Sequence, residues 1–217
     1  MVTVTIVAID GPGGSGKSTI ASRLAERLGV PMLSTGLFFR VAAWGLAPVL
    51  REDRLEPGFV EHWFDHHRIT VKGDRALLDD GYLGEELRLP MVQQILSLVA
   101  ADSTVRRRIL ELERAQISSV GSCVVEGRDI GSVVWPQAIC KFYLVARQQI
   151  RIERRPEEGL ELIDRDRKDS VRRDAPLRMA RDAFLVDNSD EPVEVLVERM
   201  ARLVALQSER ASVEAPS

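Results

Sequence analysis

Residues 4–19 read V-T-I-V-A-I-D-G-P-G-G-S-G-K-S-T, a β-branched run that ends on Asp10 and breaks into glycine. A short apolar run bounded by a turn signal reads as a buried parallel strand. Gly11 to Ser18 then satisfy the pattern GxxxxGK[ST]. The glycines let successive backbone N–H groups curl inward around an anion, and a helix beginning near Lys17 adds its positive end. In such loops the lysine bridges the β and γ phosphates of a nucleoside triphosphate and the hydroxyl reaches Mg²⁺. A plain glycine-rich turn with a helix cap would share the glycines. It would not share the strand before them or the apolar helix face of Ile20, Leu24 and Leu28 behind them. Gly11, Pro12, Gly13, Gly14, Ser15, Gly16, Lys17, Ser18 and Thr19 are therefore the expected triphosphate-binding residues, with Ser18 as the metal contact.

Outward from this loop, Lys17 to Leu28 read as a helix closed by Gly29, and V-P-M-L (30–33) as a second strand followed by the tight segment Ser34-Thr35-Gly36. Phe38 to Leu50 and Glu61 to His67 look helical, and Arg68 to Leu87 carry the alternation and turn residues of a small hairpin insertion. Leu89 to Ile117 read as helix with a break near Asp102-Ser103. CVVEG (123–127), KFYLVA (141–146) and AFLVDN (183–188) read as buried strands. Gln148 to Arg173 show helical periodicity interrupted at Pro156 and Gly159. Val193 to Leu206 form an amphipathic helix, and the polar SERASVEAPS after it is expected to fray. Alternating strand, loop and helix point to an α/β fold: a mostly parallel sheet with helices on both faces, in one core with insertions and no internal repeat.

Composition narrows the partners. The chain has 217 residues, 45% of them apolar and 29% charged, which excludes a wholly disordered chain. A net charge of −3 gives no global attraction to nucleic acid or anionic membrane. No basic stripe interleaved with aromatics speaks for nucleic acid, and no run approaches the roughly 20 apolar residues of a membrane span. The start enters a strand without the basic and apolar regions of a signal peptide. Cys123 and Cys140 lie in apolar runs and read as buried free thiols. His62 and His66 share a helix face without an evident third metal ligand. A soluble, cytoplasmic protein is expected. Arginines concentrate between Arg147 and Arg181, a cationic cluster suited to a small polyanion.

The phosphate loop does not identify the acceptor. No guanine-reading NKxD is present, and the compact size argues against a motor. VAIDGPGGSGKST (7–19), LSTGLFFR (33–40), VVEGRDIGSVVWPQA (124–138) and DRDRKDSVRRDAPL (164–177), in this order, resemble the bacterial cytidylate kinases from about Val4 to Leu206. The resemblance implies a P-loop kinase with a five-stranded parallel sheet core flanked by helices, an acceptor-binding insertion and a short lid. It places the core at about 1–40, 88–146 and 174–206, the insertion at about 41–87, the lid at about 147–173 and a frayed tail at 207–217, all in one domain. It implies ATP with Mg²⁺ as donor, CMP or dCMP as acceptor, and a monomer.

Carried over by position, the resemblance assigns cytosine recognition to Ser97, Arg106 and Asp129. A carboxylate accepts from the N4 amine of cytosine and an arginine donates to N3 and O2, whereas uracil reverses the first two groups. It assigns the acceptor phosphate to Arg40 with Thr35, joined by Arg128 and Arg172, and the ribose hydroxyls to Asp169. Lys17, Arg128, Arg154, Arg165 and Arg172 are the expected catalytic residues, with Arg151 and Arg155 sharing the lid's neutralising role. The acceptor is already an anion, so no general base is expected and catalysis is alignment plus charge stabilisation. This chain departs from the family pattern at Phe39 (usually Tyr), Ser34 (often Asp), Glu126 (often Asp), Ser18 (often Gly) and in a lid arm reduced to PEEGLELI (156–163). UMP, AMP or a non-nucleotide such as shikimate are the alternative acceptors, and an inactive nucleotide-binding regulator is the alternative from another class.

Overall fold

A computed structural model describes residues 6–50, 54–156 and 158–214. Val4 and Thr5 of the expected first strand, Glu157 of the lid arm and residues 215–217 of the tail lie outside the described residues. The chain divides into two compact units, one built from the segments up to Leu33 and from Val120 onward, the other from Ser34–Ser119.

The first unit is organised around β1 (Ile6–Asp10), buried at every position. Its neighbours are β6 (Cys123–Glu126) and β7 (Cys140–Val145), paired in parallel with Val7 opposite Val124 on one side and Cys140 on the other. β2 (Met32–Ser34) flanks β6, and β8 (Phe184–Asp187) pairs in parallel with β7, giving the order β2-β6-β1-β7-β8. This is the expected five-stranded sheet. The chain leaves β1 toward one edge and later returns to the other, so the carboxyl end of β1 is a topological switch point, where open α/β sheets bind ligands.

α1 (Lys17–Leu28) turns Ile20, Ala21, Leu24 and Ala25 into the core and ends at Gly29, whose φ of 67° suits a residue without Cβ. α8 (Val193–Glu214) adds Leu196, Met200 and Val204 to the same core, against Phe142 and Leu144. It runs past Leu206 to Glu214, so the expected fraying of SERASVEAPS is corrected for residues 208–214. The segment holds good helix formers and no glycine or proline before Pro216. α6 (Gln148–Arg154) and α7 (Glu161–Ser170) are the two helices of the charged stretch, separated where Pro156 and Gly159 interrupt it.

The second unit contains α2 (Gly36–Leu46), which ends earlier than Leu50 in a 3₁₀ turn at Ala47–Val49, and α3 (Pro57–His66), which starts at a proline suited to the first helical turn. The segment read as a hairpin is a three-stranded meander of β3 (Ile69–Lys72), β4 (Arg75–Leu78) and β5 (Gly81–Leu83). α4 (Pro90–Ala101) and α5 (Ser103–Val120) are separated at Asp102, whose Oδ1 accepts the Val105 N–H at 2.9 Å and caps α5. Phe38, Val41, Leu46, Val60, Val71, Val92 and Ile109 form its core. α4 and α5 share that core, so the unit is wider than the 41–87 insertion. His67 pairs with Asp79, and among the described residues no group of His, Cys, Asp or Glu is arranged to hold a metal ion. No helix among them is long and apolar enough to cross a membrane.

Candidate active site

The phosphate loop leaves β1 at Gly11, where a Cβ would stand 2.1 Å from the Leu144 carbonyl oxygen, so only glycine lets the loop pass this close to β7. The Ser15 hydroxyl donates to the Pro12 carbonyl at 2.9 Å, and Lys17 Nζ donates to the same oxygen at 2.8 Å. Asn188, buried at the end of β8, donates from Nδ2 to the Ser15 carbonyl at 2.8 Å. The loop is thus shaped from behind by an amide the sequence did not single out.

Two ionisable groups in this region are displaced in opposite directions. Burial pulls the Lys17 ammonium down from 10.5 to about 7, with Glu126 opposing and Arg128 and Arg155 adding to the fall. Burial also pushes the Asp10 carboxyl up from 3.8 to about 7, against the N–H groups of Gly131 and Ile130, which favour its charged form. Those N–H groups lie 2.8 and 2.7 Å from its carboxylate oxygens. Asp10 therefore ties the loop strand to the segment Ile130–Val134, a single π-helical turn that opens at Asp129. Asp129 is buried, and its carbonyl accepts the N–H of Val133 at 2.8 Å.

At the end of β6, Glu126 accepts the Ser18 hydroxyl at 3.1 Å. A hydroxyl and a carboxylate side by side at the loop mouth are the hard oxygen ligands that Mg²⁺ prefers, so the residues present fit that ion. Glu126 entered the sequence reading only as a departure from Asp. Its signal was available: a carboxylate ending the strand next to β1.

Five of the expected arginines, Arg128, Arg151, Arg155, Arg165 and Arg172, are held by carboxylates. Arg128 NH1 pairs with Asp166 and, at 2.8 Å, with Asp169 Oδ2, while Arg172 lies against Asp169 with its side chain only 9% exposed. Arg151 pairs with Asp166 and donates from Nε to the Gly13 carbonyl at 2.7 Å. Arg154 donates to the Asn188 carbonyl at 2.7 Å beside the loop. Arg165 pairs with Glu158, and its buried Nε–H has no hydrogen-bond partner among the described residues. Burial pushes the Glu158 carboxyl up, but Arg165 and Arg155 together outweigh it and hold it below the usual range. Lys17, Ser18, Arg128, Arg154, Asp169 and Arg172 are therefore assembled around the loop and the adjoining carboxylates. Asp10, Asp166 and Asn188 were missed because their partners, backbone N–H groups, guanidinium groups and the Ser15 carbonyl, lie far away in sequence.

In the second unit Thr35 is buried at the start of α2, and Arg40 donates to the Leu87 carbonyl at 3.1 Å. Ser97 is half-buried on α4. Arg106 donates to the Ala100 carbonyl at 3.1 Å, with its guanidinium 5.3 Å from the Phe39 ring centre. Phe39 lacks the hydroxyl of the usual tyrosine but keeps the aromatic face on which the cation rests.

A strand–loop–helix phosphate cradle at the switch point of a parallel sheet, with its lysine and surrounding guanidinium groups, places the chain among the P-loop kinases. A solved gluconokinase from Sinorhizobium meliloti shares the fold, with a TM-score of 0.50 at 14% identity over 98% of both chains. Residues 7–206 match the family described as cytidylate kinase. Proteins named cytidylate kinase from Thermosipho melanesiensis (36% identity, 91% of this chain and 95% of the relative) and Pelotomaculum thermopropionicum (37%, 92% and 95%) are similar along nearly their whole length. So is one from Rhodococcus opacus, at 36% identity over 96% of each. The chain belongs to the cytidylate kinase family.

Proposed function

We propose that this protein is an ATP-dependent kinase that transfers the γ-phosphoryl group of Mg·ATP to CMP, and to dCMP, giving the diphosphate and ADP in pyrimidine nucleotide metabolism. One observation carries the reading within this family. The phosphate loop has Lys17 at its mouth and guanidinium groups beside it, Arg151 on the Gly13 carbonyl and Arg154 on the Asn188 carbonyl that adjoins the loop. Cations gathered at a cradle of backbone N–H groups stabilise the charge of a transferring phosphoryl group.

Lys17 donates to the β and γ phosphates once it leaves the Pro12 carbonyl. Arg128, Arg154, Arg165 and Arg172 neutralise charge on the transferring group, and no proton acceptor is needed for an acceptor that is already an anion. Ser18 and Glu126 would hold Mg²⁺, which when bound offsets charge on the phosphate oxygens. Thr35 and Arg40 take the acceptor phosphate and Ser97, Arg106 and Asp129 the cytosine, with Asp169 on the ribose. Two buried thiols suit the reducing cytoplasm, where we place a monomer acting on small nucleotides rather than on nucleic acid or a membrane.

The test is ADP release from Mg·ATP with CMP, dCMP, UMP, AMP and GMP offered separately. Turnover confined to CMP and dCMP is the expected result. Turnover with another acceptor overturns the specificity, and none with any acceptor overturns the enzyme.

A further inference from the structure

The two middle glycines of the phosphate loop are covered by the shortened lid. A Cβ on Gly13 would stand 2.3 Å from Leu162 Cδ1, and one on Gly14 would stand 2.8 Å from the Arg151 carbonyl oxygen. Leu162 is fully buried on α7, so it has little room to yield. One turn further along the same helix, Asp166 accepts the Gly13 N–H on Oδ1 at 3.0 Å. Arg151 holds the other side of that residue through its carbonyl oxygen, at 2.7 Å. The Asp166 carboxylate also lies between Arg128 and Arg151 and pairs with both.

We infer that Asp166 and Leu162 are positioning residues that seat the lid helix on the phosphate loop, and that Gly13 is glycine because the lid lies on it. Two guanidinium groups this close repel unless a carboxylate separates them. Asp166 supplies that charge and fixes both to one peptide of the loop, so Arg128 and Arg151 are aligned before nucleotide arrives. A lid reduced to two short helices then works as a fixed seat for arginines. The role in transfer rests on the kinase reading above; the seating does not.

The experiment compares the full chain with Asp166→Asn, Asp166→Glu, Gly13→Ala, Leu162→Ala and the Gly13→Ala/Leu162→Ala pair. It reads amide hydrogen exchange across 161–170 and ADP release with and without CMP. Asp166→Asn is expected to speed exchange in α7 while the sheet strands stay protected. It should lower kcat by about 10- to 100-fold with KM for CMP changed less than about 3-fold, as loss of an aligning contact does. ADP released without acceptor should rise as a fraction of the total, and Asp166→Glu should recover part of both effects. Gly13→Ala should loosen α7, and removing the Leu162 side chain in the pair should restore protection and transfer.

A pair as impaired as Gly13→Ala alone would mean that Gly13 is needed for something other than the lid, and the inference falls. Unchanged α7 exchange in Asp166→Asn overturns it equally. If the parent chain fails to phosphorylate CMP while the exchange results hold, the seating stands and the proposed activity falls.

Discussion

Replacing Lys17 with methionine should abolish phosphoryl transfer and at the same time stabilise the empty protein. The Lys17 ammonium is held at about 7 instead of 10.5 in the folded chain, chiefly by burial. At about 1.4 kcal/mol per pH unit, the displacement corresponds to roughly 5 kcal/mol of unfavourable free energy on the charged form. Lys17 is partly exposed and keeps its bond to the Pro12 carbonyl. Solvent screening therefore makes roughly 5 kcal/mol an upper bound on the gain. Methionine has similar length and helix propensity and no charge, so it removes the penalty without opening a cavity.

The sign of the pH dependence follows. The folded pKa lies below the unfolded one, so the penalty is full below about 7, where Lys17 is charged in both states. It shrinks as pH rises from about 7 to 10.5, where the unfolded chain also loses its proton. The gain from Lys17→Met, measured by urea unfolding followed by circular dichroism, should therefore be largest at pH 6 to 7, fall steadily toward pH 10 and vanish only above about pH 11. Calorimetry adds a second reading. ATP binding at pH 8 should draw protons from the buffer, because phosphates return Lys17 to its charged form, and the uptake should vanish in the variant. A variant no more stable than the parent at pH 6.5, or a gain that does not fall with pH, would refute the reasoning.

Other perturbations test separate parts of the site. Asp129→Ala should leave ATP binding intact and reduce discrimination of CMP against UMP from about 10⁴ to about 10, measured as the ratio of kcat/KM for the two acceptors; a variant as selective as the parent would remove Asp129 from base recognition. Ser18→Ala should raise the Mg²⁺ concentration needed for half-maximal turnover by about tenfold, read from a metal titration at fixed ATP. Burial pushes the Cys123 and Cys140 thiols up to about 12. Both should stay silent to a thiol reagent in the native protein and react only on unfolding.

Much of this was legible because its signals are local. The phosphate loop is fixed by glycine and lysine spacing within eight residues, and the sheet by continuous apolar runs that only burial on both faces explains. Other features depend on partners distant in the chain. Asp166 and Gly13 are 153 positions apart, and no periodicity joins them. In the charged stretch every second residue could pair with several others, so the sequence shows a cluster without showing its wiring. The meander was half-legible. Asp79 and Asp80 adopt φ of 51° and 67°, the left-handed turn that Asn-Gly usually makes, and it pairs Leu78 with Gly81 in an extra strand. Phe39 looked like the loss of a contact, and the structure instead uses its ring under Arg106.

The cations of this site show two different solutions to one physical problem. An arginine cannot shed its proton, so a buried guanidinium must be given a counterion before substrate arrives. Arg128, Arg151, Arg165 and Arg172 each have a carboxylate from the stretch between Glu158 and Asp169. Lysine can shed its proton, so Lys17 is tolerated with a carbonyl as its hydrogen-bond partner and its basicity falls instead. Substrate binding must then do different work on each. The arginines meet the phosphate already charged, with their carboxylates in place and no proton to gain. Lys17 gains a proton and an anion together. The strongest coupling between pH and nucleotide affinity should therefore belong to Lys17, although arginines carry most of the positive charge.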